Sequence, residues 1–265
     1  MADWLEVPNR RNASNDRDLK EEVHRLRPAE ELMISGARLY CEGEFDLAAQ
    51  EFHRARRHEP SLFDAWAEEV DARLRDGDVP RAAEVATEAI STYGRVPIFY
   101  AAKALVLAHK GYMEAAYEHS DISVKHQGAS MFTWLSRGEV VLATGAPGSL
   151  HSAEACFEKA RLRDPSRWRA SFRAALSLLQ WSHTPRALQL LAQVSQLIPA
   201  NPFVWKLMGD CHLQLGHGYE ARQCYRTALA RRPGYPPADE ALQAMTFWGR
   251  LRAKLRSLFR GTHKA

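Results

Sequence analysis

One stretch, Pro202 to Tyr235, sets a period that most of the chain repeats. It reads PFVWKLMGDCHLQLGHGYEARQCYRTALARRPGY and is 34 residues long. Gly209 and Ala221 are small where two antiparallel helices must approach closely, and Ala228 is small where the second helix meets its neighbour. Trp205 and Tyr225 fill the space between them. Gly216-His217-Gly218 interrupts the helical pattern and predicts the turn. Pro233 cannot continue a helix and ends the second one.

Sliding this template backwards finds five more copies. Trp168 to Asn201 keeps Ala175, Ala187 and Pro199, with Leu191 at the late aromatic position. Met131 to Arg167 carries Trp134, Gly138, Ala153, Phe157, Ala160 and Pro165, with three extra residues in the turn region from Gly145 to His151. Pro97 to Ser130 keeps Tyr100, Ala104, Gly111 and Ala116. Phe63 to Val96 keeps Trp66, Gly77, Ala82 and Ala89, and Ala29 to Leu62 keeps Gly36, Ala48, Phe52, Ala55 and Pro60. Six copies in phase exclude chance. The pattern resembles the tetratricopeptide repeat, a helix-turn-helix unit of this length. The resemblance implies an all-α fold: a right-handed α-solenoid of six repeats at 29–62, 63–96, 97–130, 131–167, 168–201 and 202–235. Each repeat would bury its apolar face against its neighbours, so capping segments are needed at both ends.

The flanks supply them. Residues 1–15 are mostly polar and are expected to be disordered, apart from an aromatic-aliphatic patch at Trp4, Leu5 and Val7. Residues 16–28 place Leu19, Val23 and Leu26 at helical spacing, as an N-terminal capping helix would. Residues 236–265 read as a C-terminal helix with Leu242, Met245, Trp248, Leu251, Leu255 and Leu258 on one stripe. Its second half is basic: Arg250, Arg252, Lys254, Arg256 and Arg260 cover the other faces. The chain holds 36 basic and 32 acidic residues, and from Pro236 onward there are six basic and two acidic. The remainder is neutral, with 30 of each sign, so the whole net charge of +4 resides in this tail. Its second half has the pattern of an interfacial helix on anionic lipid. A cap on the array ranks first among its uses, anionic lipid or an acidic partner helix second, and nucleic acid last because stacking aromatics are few.

In the resembled family the first helix of each repeat lines an inner, concave face. The residues that contact ligand there stand at the second, fifth, sixth, ninth, twelfth and thirteenth positions. Carried onto the third to fifth repeats, those offsets mark a protein-binding groove: Ile98 and Leu105, with Ala101 and Ala108; Phe132, Leu135 and Glu139, with Leu142; and Arg169, Phe172, Arg173 and Leu176, with Leu179. Such a groove is apolar with a few charges. The mixed run Glu68, Glu69, Asp71, Arg73, Arg75 and Asp76 in the second repeat is expected to be a solvated face with local ion pairs, ahead of the alternative, an electrostatic patch at one end of the groove. One version of the family clamps acidic chaperone tails with Lys and Asn at the fifth and ninth positions. Here the first repeat has Met33 and Ala37, and the last has Lys206 and Asp210, so that clamp is absent.

No P-loop, GxSxG, HExxH or GxGxxG motif occurs. The 11 histidines are scattered, and His212 and His217 are five apart, the wrong spacing for two ligands on one helix face. No catalytic residue, metal site or cofactor is expected. Cys41, Cys156, Cys211 and Cys224 form no CxxC pair and read as reduced thiols, and no apolar run reaches membrane-spanning length. Without the basic and apolar regions of a secretory signal, the expected compartment is the cytoplasm. The sequence therefore points to a non-catalytic adaptor or scaffold that binds a peptide or helix in its groove. The alternative is a protein that associates with anionic membrane or nucleic acid through its tail. The oligomeric state is left open.

Overall fold

The computed structural model describes residues 27–125 and 129–246. Among them the chain is all-α, with twelve helices in six pairs and a thirteenth helical stretch at 236–246. α1 (Pro28–Glu42) and α2 (Phe45–His58) fall within 29–62 but for one residue. α3 (Phe63–Asp76) and α4 (Val79–Tyr93) fall within 63–96, and α5 (Pro97–His109) and α6 (Met113–Val124) within 97–130. α7 (Met131–Ala143) and α8 (Ser149–Arg161) follow, then α9 (Arg169–Gln180) and α10 (Thr184–Leu197). α11 (Pro202–Gln214) and α12 (Gly218–Arg231) complete the last pair.

Local chemistry sets these boundaries. Pro28, Pro97 and Pro202 occupy first helical turns, where a missing N–H is harmless. Asp78, Ser130 and Asn201 cap α4, α7 and α11 by accepting backbone N–H bonds. The turns inside repeats close on residues in the left-handed region. Gly43 (φ 83°) and Gly77 (φ 86°) pay no Cβ penalty there, whereas the fifth repeat turns on Ser182 (φ 64°).

The chain divides into two compact units, one ending at Ser177 and the other starting at Leu178. In the first unit, Trp66, Tyr93, Phe63 and Phe99 form an aromatic cluster joining α3, α4 and α5, with ring centroids 5.1–6.3 Å apart. Within repeats the packing is a matched exchange of volume. A Cβ on Gly36 would lie 2.6 Å from the Phe52 ring, and one on Gly138 only 2.4 Å from Phe157. Where the first helix is larger, as at Val70, the second carries Ala86 at the facing register.

The second unit repeats that device with Gly209 against Tyr225, at 2.4 Å from a built Cβ. Tyr225 also donates to Asp210 at 2.9 Å, which with burial pushes its phenol well above the usual range. Residues 236–246 pack onto this repeat. Ala238 is buried with Ala221, Tyr225 and Ala228, and Leu242 and Met245 lie partly buried against them. The first members of the predicted C-terminal stripe thus cover the apolar side of the last pair.

Candidate functional site

The site belongs to the first unit, where first helices of distant repeats meet. Arg173 of α9 donates to Glu68 (2.7 Å) and Asp71 (2.6 Å) of α3, across about a hundred residues of sequence. Tyr40 of α1 donates to the same Asp71 oxygen at 2.6 Å. Arg75 pairs with Asp71 at 3.2 Å and with Glu139 of α7. Glu139 also meets His109 of α5 at 3.0 Å and accepts from Ser177 of α9. Three carboxylates and two guanidiniums therefore join α1, α3, α5, α7 and α9 in one hydrogen-bonded lattice.

Burial and pairing pull the titrations in opposite directions. Burial raises Glu139, but Arg75 and the hydrogen bonds from His109 and Ser177 win and hold it well below the usual carboxylate range. Asp71 is lowered likewise, as Arg75 and Arg173 outweigh its burial. For Glu68 burial dominates and its carboxyl is raised despite Arg173. Both guanidiniums resist burial and are held more firmly protonated by their carboxylate neighbours.

Beside this lattice lies an open cavity of about 550 Å³. α1 gives it Met33, Ala37, Tyr40 and Cys41; α3 gives Asp64 and Glu68; α9 gives Arg169, Phe172 and Arg173. Ser130, Met131 and Phe132 line the start of α7, and Leu162 to Pro165 form the rim before α9. That rim is fixed by Asp164, whose carboxylate accepts from the backbone N–H groups of Ser166 and Ala170, each at 2.9 Å. Leu162 is 72% exposed at this edge, the most exposed large apolar side chain among the described residues. Burial pushes the Cys41 thiol up to about 12, so it is a protonated wall residue and a poor nucleophile.

The structure corrects the expected groove in part. Leu105, Leu135, Leu176, Phe132 and Phe172 are all buried; Phe172 is 1% exposed. Glu139 and Arg173, expected as polar points on an open lining, are buried members of the lattice. Ile98 is half-buried against the cluster around Trp66 and Phe99. Glu139 and Arg173 are buried because they pair with charges of α3, whereas Leu105 and Phe132 pack into the cluster around Trp66 and Phe99. Phe132, Arg169, Phe172 and Arg173 still reach the cavity. The charged run of α3 is a second correction. Glu69 and Asp71 are buried, and Glu69 is ringed by Arg56 and Arg73 while Arg56 stacks 4.1 Å above Trp66. The basic tail residues Trp248, Arg250, Arg252, Lys254, Arg256 and Arg260 lie outside the described residues. So do Trp4 and residues 16–26 of the N-terminal capping segment.

The sequence reading missed Tyr40, Asp64 and Cys41, took Glu68, Asp71 and Arg75 for a solvated face, and used Met33 and Ala37 only to exclude a clamp. The signal was available. Asp64, Glu68, Asp71 and Arg75 stand at the second, sixth, ninth and thirteenth positions of their repeat, and Met33, Ala37, Tyr40 and Cys41 at the fifth, ninth, twelfth and thirteenth of theirs. The inner-face offsets applied to repeats one and two would have named them.

Residues 38–97 and 148–263 match two profiles described as tetratricopeptide repeat. No curated protein sequence matches the chain. Among solved structures, YrrB, described as a tetratricopeptide repeat protein with an unusual peptide-binding site, is 14% identical with a TM-score of 0.42, covering 74% of this chain and 99% of its own. A thermophilic repeat protein from Thermus thermophilus is 19% identical with a TM-score of 0.47, covering 83% and 99%. PilW, a type IV pilus biogenesis factor, is 13% identical with a TM-score of 0.49, covering 81% and 98%. The chain belongs to the tetratricopeptide repeat family, whose domains generally mediate protein–protein interactions and are typically non-catalytic. Among the described residues no helix is long and apolar enough to cross a membrane.

Proposed function

We propose that this protein is a non-catalytic adaptor that holds an extended peptide segment of a protein partner in the cavity between α1, α3, α7 and α9. The observation that carries this reading is the cavity itself. Its volume of about 550 Å³ lies inside the usual ligand-site range of roughly 300–1,000 Å³. Met33, Phe132 and Phe172 give it an apolar floor, and Asp64 and Arg163 place opposite charges at its edge to orient a ligand. Burying Leu162 under a ligand would remove the exposed apolar rim from water, a favourable change of the kind that drives association. The working compartment in this reading is the cytoplasm.

The test is a selection of displayed random peptides on the full chain, with affinities then measured on two variants. Ala37→Trp fills the cavity from its half-buried wall, and Leu162→Asp puts a charge on the exposed rim. Selected peptides should share an aromatic or aliphatic anchor and lose at least tenfold in affinity on both variants. Peptides that bind both variants as tightly as the parent would place the ligand elsewhere.

A further inference from the structure

The cavity has an occupant within reach in the same chain. One of its walls is α1, whose N-cap Arg27 directly follows residues 1–26, which lie outside the described residues. In the first 15 of those residues the large apolar side chains besides Met1 are Trp4, Leu5 and Val7, flanked by Asp3 and Glu6 and followed by Arg10-Arg11. That is one compact apolar cluster in an otherwise polar segment.

We propose that the segment Asp3–Val7 docks in this cavity, with Trp4 and Leu5 on the apolar floor, so that an outside ligand must displace it. The inference rests on the adaptor reading and adds its regulation. Size, charge and reach each favour it. The floor is aromatic and thioether in character, through Phe132, Phe172 and Met33, and suits an indole ring. Asp3 and Glu6 match the arginines at the rim, and Arg10-Arg11 match Asp64 and Glu68 on the facing wall. With 16–27 taken as the expected capping helix, the nine residues from Val7 to Asp16 still extend to about 30 Å, and α1 is only about 22 Å long, so the segment reaches along the wall. A covalently attached segment is supplied at an effective concentration on the order of millimolar when its linker spans the distance. A weak segment would therefore fill the cavity until a tighter ligand arrives.

Two measurements on the full chain test this. First, Trp4 is replaced by the photoreactive amino acid p-benzoylphenylalanine, the dilute protein is irradiated, and the cross-linked peptides are identified by mass spectrometry. The expected product joins position 4 to Met33–Cys41, Met131–Phe132 or Leu162–Pro165 of the same molecule. Cross-links only to other surfaces, none at all, or only between two molecules would overturn the proposal. Second, a fluorescent peptide of residues 1–12 is titrated against the parent and against the full-length Trp4→Ser, Leu5→Ser variant. The variant should bind at least tenfold more tightly, and adding Ala37→Trp should abolish that gain. Equal binding to parent and variant, or binding that survives Ala37→Trp, counts against self-occupancy. If self-occupancy fails while selected foreign peptides still lose affinity on Ala37→Trp, the adaptor reading stands alone. If neither own nor foreign peptide binds the cavity, both fall.

Discussion

Replacing Arg173 by Met tests the buried lattice and its reason for being. Met preserves much of the aliphatic stem over Tyr40 and Phe132, whose ring centroids lie 5.2 and 5.3 Å from the guanidinium carbon. What it removes is, among the described residues, the one basic partner of Glu68 and one of two for Asp71, since Arg75 still pairs Asp71 at 3.2 Å. Breaking a buried pair by deleting one partner costs about 3–5 kcal/mol, because the charge left behind is uncompensated. With a urea slope of about 2 kcal/mol/M, that moves the unfolding midpoint down by about 1.5–2.5 M at pH 7.5. The sign of its pH dependence is specific. Burial already raises Glu68 in the parent and removing Arg173 raises it further, whereas Asp71 keeps Arg75; the stability that a protonated Glu68 contributes is therefore complete below about pH 4 and is lost as pH rises through its folded value. The gap between parent and variant should therefore shrink on going from pH 7.5 to pH 4.5, followed by urea titration with circular dichroism. A gap of the same size at both pH values would mean lost packing only. A midpoint shift below about 0.5 M at pH 7.5 would mean that the α3 charges are solvated after all, as their sequence first suggests.

Three further outcomes follow from the packing and the tail. Gly209→Ala drives a Cβ to 2.4 Å from the Tyr225 ring and should cost about 1–3 kcal/mol; adding Tyr225→Leu, which copies the Ala175 and Leu191 pair of the fifth repeat, should recover part of it in thermal melts. Phe172→Glu should unfold the first unit and not merely weaken binding, because an unpaired carboxylate replaces a ring that is 1% exposed; helix content near that of the parent would return Phe172 to an open lining. The full chain should sediment with phosphatidylglycerol vesicles at low salt and release at high salt, and changing Arg250, Arg252, Lys254, Arg256 and Arg260 together to Gln should abolish this. Equal pelleting of both proteins, or none, would remove the membrane role of the tail.

Helix placement was legible because it depends on local facts. A glycine in the left-handed region, a proline in the first turn and a small residue facing Phe52 or Tyr225 each act within one repeat, and the period multiplies the signal. The offsets that name Phe132, Glu139 and Arg173 are local in the same sense. What lies opposite was not legible. Glu68 meets Arg173 only if small rotations over several repeats bring α3 and α9 together, and a periodic pattern carries no record of those angles. A run such as Glu68 to Asp76 also looks alike whether it faces water or a matching wall. Glu69 is met by Arg56 and Arg73 nearby, but Arg75 and Glu68 find their partners 64 and 105 residues away.

The most direct test of the adaptor account is hydrogen exchange on the full chain, with and without a saturating peptide selected for binding. The account predicts added protection in residues 29–41, 130–132 and 162–173, with residues 202–246 unchanged. Protection confined to another surface, or spread evenly over both units, would contradict it.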